Sequence, residues 1–252
     1  MEFSRWGDVN IMPRILSAGE SHLIVEFGQT IDLAQNALVH RLARQLGEHP
    51  LVGLQETVPS YASLLIAYDP LVLPRESLIA HCTELMRAEG GLPQKRREVV
   101  EVPVLYGGEW GADLDAVAER VGLTRDEVIE IHASGTYTVY MIGFMPGYPY
   151  LGGLDPRLSL PRLSTPRTKV PAGTVAIAEL QAGIYPVESP GGWHLLGRTP
   201  LKLYRPTCSP PVLLRAGQGV RFRPVGRVEY FHILERVAWD DYTPVVTCEE
   251  IA

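Results

Sequence analysis

The 252 residues carry a formal net charge of -6, with 46% hydrophobic and 21% charged residues. These values suit a water-exposed globular protein with one large domain or two modest ones. They argue against a general nucleic-acid binder, and no apolar run approaches the roughly 18 residues of a membrane span. The start, MEFSRWGDVN, lacks the apolar stretch of a signal peptide, so a cytoplasmic protein is expected. Cys82, Cys208 and Cys248 lie far apart and suit a reducing compartment. Without a CxxC pair or an HxxxH, no metal site is expected.

In chain order, Arg14 to Ser17 and Ser21 to Phe27 read as strands about the turn Ala18-Gly19-Glu20. Asp32 to Leu46 has helical spacing, with Leu33, Ala37, Leu38, Leu42 and Leu46 on one face and Asp32 as N-cap. Val52 to Val58 and Ala62 to Tyr68 form a strand pair, and Arg75 to Arg87 a second helix after Asp69-Pro70. The order strand, strand, helix, strand, strand, helix predicts a small α+β domain with helices on one face of an antiparallel sheet. Residues 90–97 mix glycine, proline and basic side chains as a solvated linker, so the domains are placed at 1–92 and 93–252.

Val99 to Tyr106 is a predicted strand, and Asp113 to Val121 and Thr124 to His132 are short helices. Thr124 and Glu127 have the spacing of a capping box. Short strands are expected at Val139 to Phe144, Thr174 to Ala178, Gly183 to Glu188, Leu195 to Gly197, Leu201 to Arg205, Gly219 to Phe222 and Glu229 to Leu234. Many short strands separated by turns predict a closed or nearly closed β-barrel.

The segment from Tyr140 to Pro200 is the most informative: glycine and proline break it into turns and short strands presenting polar and aromatic side chains. Its runs GFMPGYPYLGGL (143–154), TPRTKVPAG (165–173), QAGIYP (181–186), SPGGW (189–193) and GRTP (197–200) are specific in combination. With Tyr106-Gly107-Gly108, Gly19-Glu20 and Glu26-Phe27-Gly28, they make the chain resemble the KipI family, also called allophanate hydrolase subunit 1, over essentially its whole length.

The resemblance implies a ferredoxin-like N-terminal domain and a cyclophilin-like barrel. It implies a role in ATP-dependent opening of 5-oxoproline to glutamate, with a KipA- or PxpC-type partner and a further PxpA partner of the LamB/YcsF type. ATP is then bound by the complex, with Mg alongside it. Two other roles occur among relatives: inhibition of a sensor histidine kinase, and a carboxyltransferase module as in urea carboxylase. Fold alone does not choose among them. Two positions depart from the family pattern: Glu179 stands where a small residue is usual, and Ala182 where threonine is common.

Lactam opening needs cations and N–H groups for phosphate charge, and donors shaped for a small carboxylate. Arg167, Lys169, Gln181 and Tyr185 are the candidate catalytic residues. Tyr148, Arg162, Ser189, Gly191, Gly192 and Trp193 are the candidate substrate or phosphate contacts. Arginine grips a carboxylate or phosphate through two parallel hydrogen bonds; the alternative is that these cations are surface charges of a proline-rich loop. Ser189 to Gly192 reads as a tight turn aiming N–H groups at an anion, whereas Gly107-Gly108 reads as a plain turn. Tyr148 and Tyr185 offer hydroxyls or packing, Trp193 a cover or a plug, and Gln181 an amide matching a lactam. Glu179 and Glu188 are candidate bases and His194 a candidate titrating group, while His132 reads as a cation at a helix end. Neither a Walker A loop nor a nucleophile elbow is present, so the chain is expected to be inactive alone.

Overall fold

A computed structural model describes residues 13–87 and 96–250, which fall into two compact units divided between Lys95 and Arg96. In the first unit, β1 (Arg14–Ser17), β2 (His22–Glu26), α1 (Leu33–Glu48), β3 (Leu54–Pro59), β4 (Ser63–Tyr68) and α2 (Arg75–Arg87) follow the expected order. The strands form an antiparallel sheet ordered β1-β2-β4-β3. Alternation along β2 and β4 sends Leu23, Val25, Leu64, Ile66 and Tyr68 to one face, where they meet Val39, Leu42 and Leu46 of α1 and Leu78 and Cys82 of α2. The buried face of α1 is rotated from the expected one. Ala37 and Leu33 are exposed, whereas Asn36, Val39 and Gln45 are buried. The cause is polar: the Asn36 side-chain amide donates to the Ser60 and Tyr61 carbonyls at 3.1 Å each, which makes an asparagine worth burying. Asp32 caps the helix through Gln35 N–H, as expected.

The second unit opens with β5 (Arg96–Tyr106), α3 (Leu114–Val121) and α4 (Arg125–Ser134). Arg96 and Arg97, expected in a linker, instead pair with the last strand; residues 90–95 of that expected linker lie outside the described residues. Thr124 and Glu127 close the capping box at the start of α4. Then come β6 (Thr136–Ile142), β7 (Pro149–Gly152), β8 (Arg167–Val170), β9 (Thr174–Ala178), β10 (Gln181–Ile184), β11 (Ser189–Gly191), β12 (His194–Arg198), β13 (Gly219–Pro224), α5 (Arg227–Ala238) and β14 (Val246–Glu250). Seven strands in the order β12-β9-β10-β7-β6-β13-β5 close into a barrel where Gly197 and Arg198 of β12 meet Tyr106 and Leu105 of β5. β14 flanks the first half of β5.

Two expected strands are absent. Glu229 to Leu234 lies inside α5, because Tyr230, Ile233 and Val237 recur at helical spacing and are the residues that α5 buries. Leu201 to Arg205 buries Leu201 and Leu203 but forms only an isolated bridge, Tyr204 to Val212; Pro200 and Pro206 bound it. The strand expected at Gly183 to Glu188 is shifted, running from Gln181 to Ile184. No helix among the described residues is long and apolar enough to cross a membrane.

Candidate functional site

The site grows from the two faces of β9 and β10. Val175, Ile177, Ala182 and Ile184 point into the barrel core. The intervening residues point the other way, where Ala176 and Ala178 join Tyr148, Val170, Tyr185, Trp193 and Leu195 in a second buried cluster flanked by Met145 and Tyr150. Tyr148 is its centre: its ring lies edge-on to Tyr185 at 5.2 Å and to Trp193 at 6.0 Å. Gly183 makes this possible, because a Cβ there would sit 2.5 Å from the Tyr148 hydroxyl and 3.0 Å from the Trp193 ring.

A separate two-stranded ribbon, β8 with β11, lies against this cluster through Val170, and Gly191 packs on the Tyr185 hydroxyl. Tyr148, Tyr185 and Trp193 are therefore at most 5% exposed. Burial holds the Tyr185 hydroxyl above the ordinary phenol range, against hydrogen bonds with Tyr148 and the Trp193 backbone, so it is a neutral phenol at pH 7. Tyr150 is raised by burial too, opposed by the nearby Arg162.

The three expected cations are each engaged by a different carboxylate. Arg167 donates through Nη2 to Asp113 Oδ1 at 2.5 Å and through Nη1 to the Trp193 carbonyl at 3.4 Å, with only 31% of its side chain exposed. It is not the solvated cation of a loop. Lys169 pairs with Glu188 at 2.9 Å in an exposed contact. Arg162 lies 3.7 Å from Glu179, 57% exposed, with its guanidinium 5.9 Å over the Trp193 ring. The unusual Glu179 thus serves as the partner of Arg162, held at the β9–β10 turn with φ 55. Phe144, edge-on to Tyr148 at 5.6 Å and 65% exposed, also has a positive φ of 62. Non-glycine residues in this region cost energy and gather at functional sites.

Ser189 to Gly191 is extended strand and not a tight turn: Ser189 faces Val170 and Gly191 faces Arg167. Two pairing strands need extended backbone, which does not gather successive N–H groups round an anion. The Ser189 hydroxyl is buried with no hydrogen-bond partner among the described residues. The Gly192 carbonyl accepts from Leu163 N–H at 2.8 Å, and His194, buried, is bonded through Nε2 to the Pro161 carbonyl at 2.8 Å; both tie the loop before β8 to the barrel. Gln181 is 4% exposed on β10, across from Gly152 and Ala178. Gly107-Gly108 is a turn with φ 70 and 56, bonded to Leu196 and Trp110.

His132 is not a helix-end cation. It is fully buried in the barrel, stacked on Phe222 at 4.5 Å, with Nδ1 at 2.7 Å from the Tyr106 hydroxyl. Burial pushes its pKa down to about 3, so it is neutral.

The structure therefore brings Tyr148, Tyr185, Trp193, Arg162 and Arg167 together, with Gln181 on the same face of β10, and leaves Lys169 and Glu188 outside as an exposed pair. Sequence reasoning misses Asp113 and Tyr150. Tyr150 carries a signal, two residues from Tyr148 on a strand; Asp113 carries none, since its contacts lie 54 and 82 residues away. Chemically, the assembly is a buried aromatic cluster with the half-exposed Arg162 guanidinium over the Trp193 ring, a group able to grip a carboxylate or phosphate through parallel hydrogen bonds. Among the described residues there is no group of acidic, histidine and cysteine side chains that could hold a metal ion.

The family model for the carboxyltransferase domain, subdomain C and D, matches residues 13–214. A 5-oxoprolinase subunit of Bacillus subtilis (strain 168) is 42% identical over 227 residues, 86% of this chain and 95% of that protein. The protein of the same name from Escherichia coli O157:H7 is 39% identical over 211 residues, 82% of this chain and 93% of that one. The crystal structure of TTHA0988 superposes with a TM-score of 0.73 at 39% identity; the match covers 85% of this chain but only 40% of that longer one. The aromatic cluster, the ribbon against it and all the candidate cations lie within the matched residues, and the chain belongs to the carboxyltransferase-domain family, subdomain C and D, in the KipI or allophanate hydrolase subunit 1 group.

Proposed function

We propose that this chain is one subunit of an ATP-dependent 5-oxoprolinase complex that opens 5-oxo-L-proline to L-glutamate, contributing part of a composite site completed by a KipA/PxpC-type partner. In this reading the first unit is ferredoxin-like, the barrel is cyclophilin-like, and a PxpA-type subunit completes the assembly in the cytoplasm. The carrying observation is the match to two chains named as a 5-oxoprolinase subunit, over nearly their whole length. The geometry supports a shared site: Tyr148, Tyr185, Trp193 and Gln181 are closed off, so a ligand meets this chain at Arg162, Tyr150 and the rim. Arg162 would hold the substrate carboxylate, a charge-assisted contact that Glu179 at 3.7 Å leaves room for. Arg167, engaged by Asp113, and Ser189 to Gly191, which is strand, are not assigned a phosphate in this reading. ATP and Mg are assigned to the complex, and no phosphoryl step is routed through these side chains.

The test of the assembly is co-expression with the KipA/PxpC-type chain and size-exclusion chromatography. Co-elution at micromolar concentration is expected; separate elution refutes the proposal. A second reading, a carboxyltransferase module, is favoured by the family model itself. It predicts carboxyl transfer with a biotinylated partner and no ATP-dependent glutamate release.

A further inference from the structure

We propose that Asp113 is a positioning residue of the candidate site, fixing Trp193 and the aromatic wall through Arg167. Asp113 stands at the N-cap of α3, yet its side chain caps no helical N–H. Its hydrogen bonds go elsewhere. Its backbone N–H donates to the Leu195 carbonyl at 3.0 Å, and its Oδ2 accepts from Leu195 N–H at 2.7 Å. One residue of β12 thus clamps both ends of Asp113 and sets the direction of the remaining oxygen. That oxygen, Oδ1, takes Arg167 Nη2, and the other arm of the guanidinium reaches the Trp193 carbonyl. Arg167 also lies opposite Gly191 in the ribbon against Tyr185. A single carboxylate, with 13% of its side chain accessible, therefore joins β12, the ribbon and the backbone of Trp193. Since Arg162 sits over the Trp193 ring, a shift of Trp193 moves the surface against which Arg162 is held.

The catalytic part of this inference rests on the proposed 5-oxoprolinase role; the structural part does not, and the experiment separates them. Asp113→Asn keeps the side chain's shape and removes its charge. In the full chain, acrylamide quenching is measured with Trp193 present and in a Trp193→Phe background, so that the difference reports Trp193. Asp113→Asn is expected to raise that difference and red-shift its emission, with cooperative melting retained. Asp115→Asn, on the first turn of α3 and paired with Arg125, is expected to change neither. In the assembled complex, Asp113→Asn raises KM for 5-oxoproline about tenfold with a smaller effect on kcat. Combining it with Arg167→Gln adds little, because both act through one link. If Asp113→Asn lowers Tm while Trp193 quenching stays unchanged, the residue is only a fold contact and the inference fails. If Asp113→Asn does not fold, Arg167→Lys replaces it in the same measurement: a rise supports the inference, no change overturns it. A wild-type complex without activity, together with a Trp193 response, refutes the enzyme reading and leaves the positioning role standing.

Discussion

Replacing Arg167 by alanine separates a structural cation from a surface one. The substitution leaves Asp113 Oδ1 without its donor inside a side chain that is only 13% accessible. Exposed ion pairs contribute about 0–1 kcal/mol, whereas breaking a buried pair costs about 3–5 kcal/mol because the orphaned charge cannot rehydrate. Arg167 is 31% exposed, so water reaches the pair from one side and the expected loss falls between these limits, about 2 kcal/mol. For a unit of this size that corresponds to a fall of about 4–8 °C in the melting of the barrel. The assay is thermal unfolding of the full chain at pH 7 followed by circular dichroism, with Lys169→Ala beside it. The Lys169–Glu188 pair is exposed at both ends, so that variant should lose no more than about 0.5 kcal/mol. If Arg167→Ala melts within about 1 °C of Lys169→Ala, the cation is a solvated surface charge and the clamp through Asp113 does not exist.

Gly183→Ala should cost about 1–3 kcal/mol by driving a Cβ into Tyr148 and Trp193, and should change the near-ultraviolet circular dichroism; an unchanged spectrum contradicts the packing. Ser189→Ala should be neutral or slightly stabilising, since its buried hydroxyl has no partner among the described residues, and urea unfolding checks this. His132 has a folded pKa of about 3 against an ordinary 6.5. Both states are neutral above the ordinary value; below it the unfolded chain binds a proton that the native chain does not. Stability from this group is therefore full above pH 6.5 and is lost as pH falls toward 3. The wild type should lose up to about 1.4 kcal/mol per pH unit more than His132→Gln across that window; equal slopes in urea midpoints would refute the buried neutral histidine.

Local chemistry is legible in the sequence and long-range chemistry is not. Asp32 capping Gln35 and Thr124 with Glu127 involve residues three apart, and both stand as expected. The succession of strands and helices along the first unit follows from alternation, helical spacing and turns, whereas the pairing of β2 with β4 does not. By contrast, Tyr230-Phe231 beside Ile233-Leu234 looks like a strand in a short window, and only the burial of Tyr230, Ile233 and Val237 reveals the helix. Ser189 to Gly191 looks like a turn because of Pro190 and the glycines; its extended form is set by β8, which lies earlier in the chain. Motif chemistry singles out Tyr148, Tyr185 and Trp193, yet their burial depends on a ribbon that no local pattern shows. Arg167 reads as a free cation because Asp113, its partner, is 54 residues away.

The most direct test of the account is glutamate release from 5-oxoproline by a reconstituted mixture of this chain with its KipA/PxpC-type and PxpA-type partners, with each component and ATP omitted in turn. Release that requires ATP and all three chains, with none from this chain alone, is the predicted result. Turnover by this chain alone, or undiminished release when it is left out, would contradict a composite site to which it contributes.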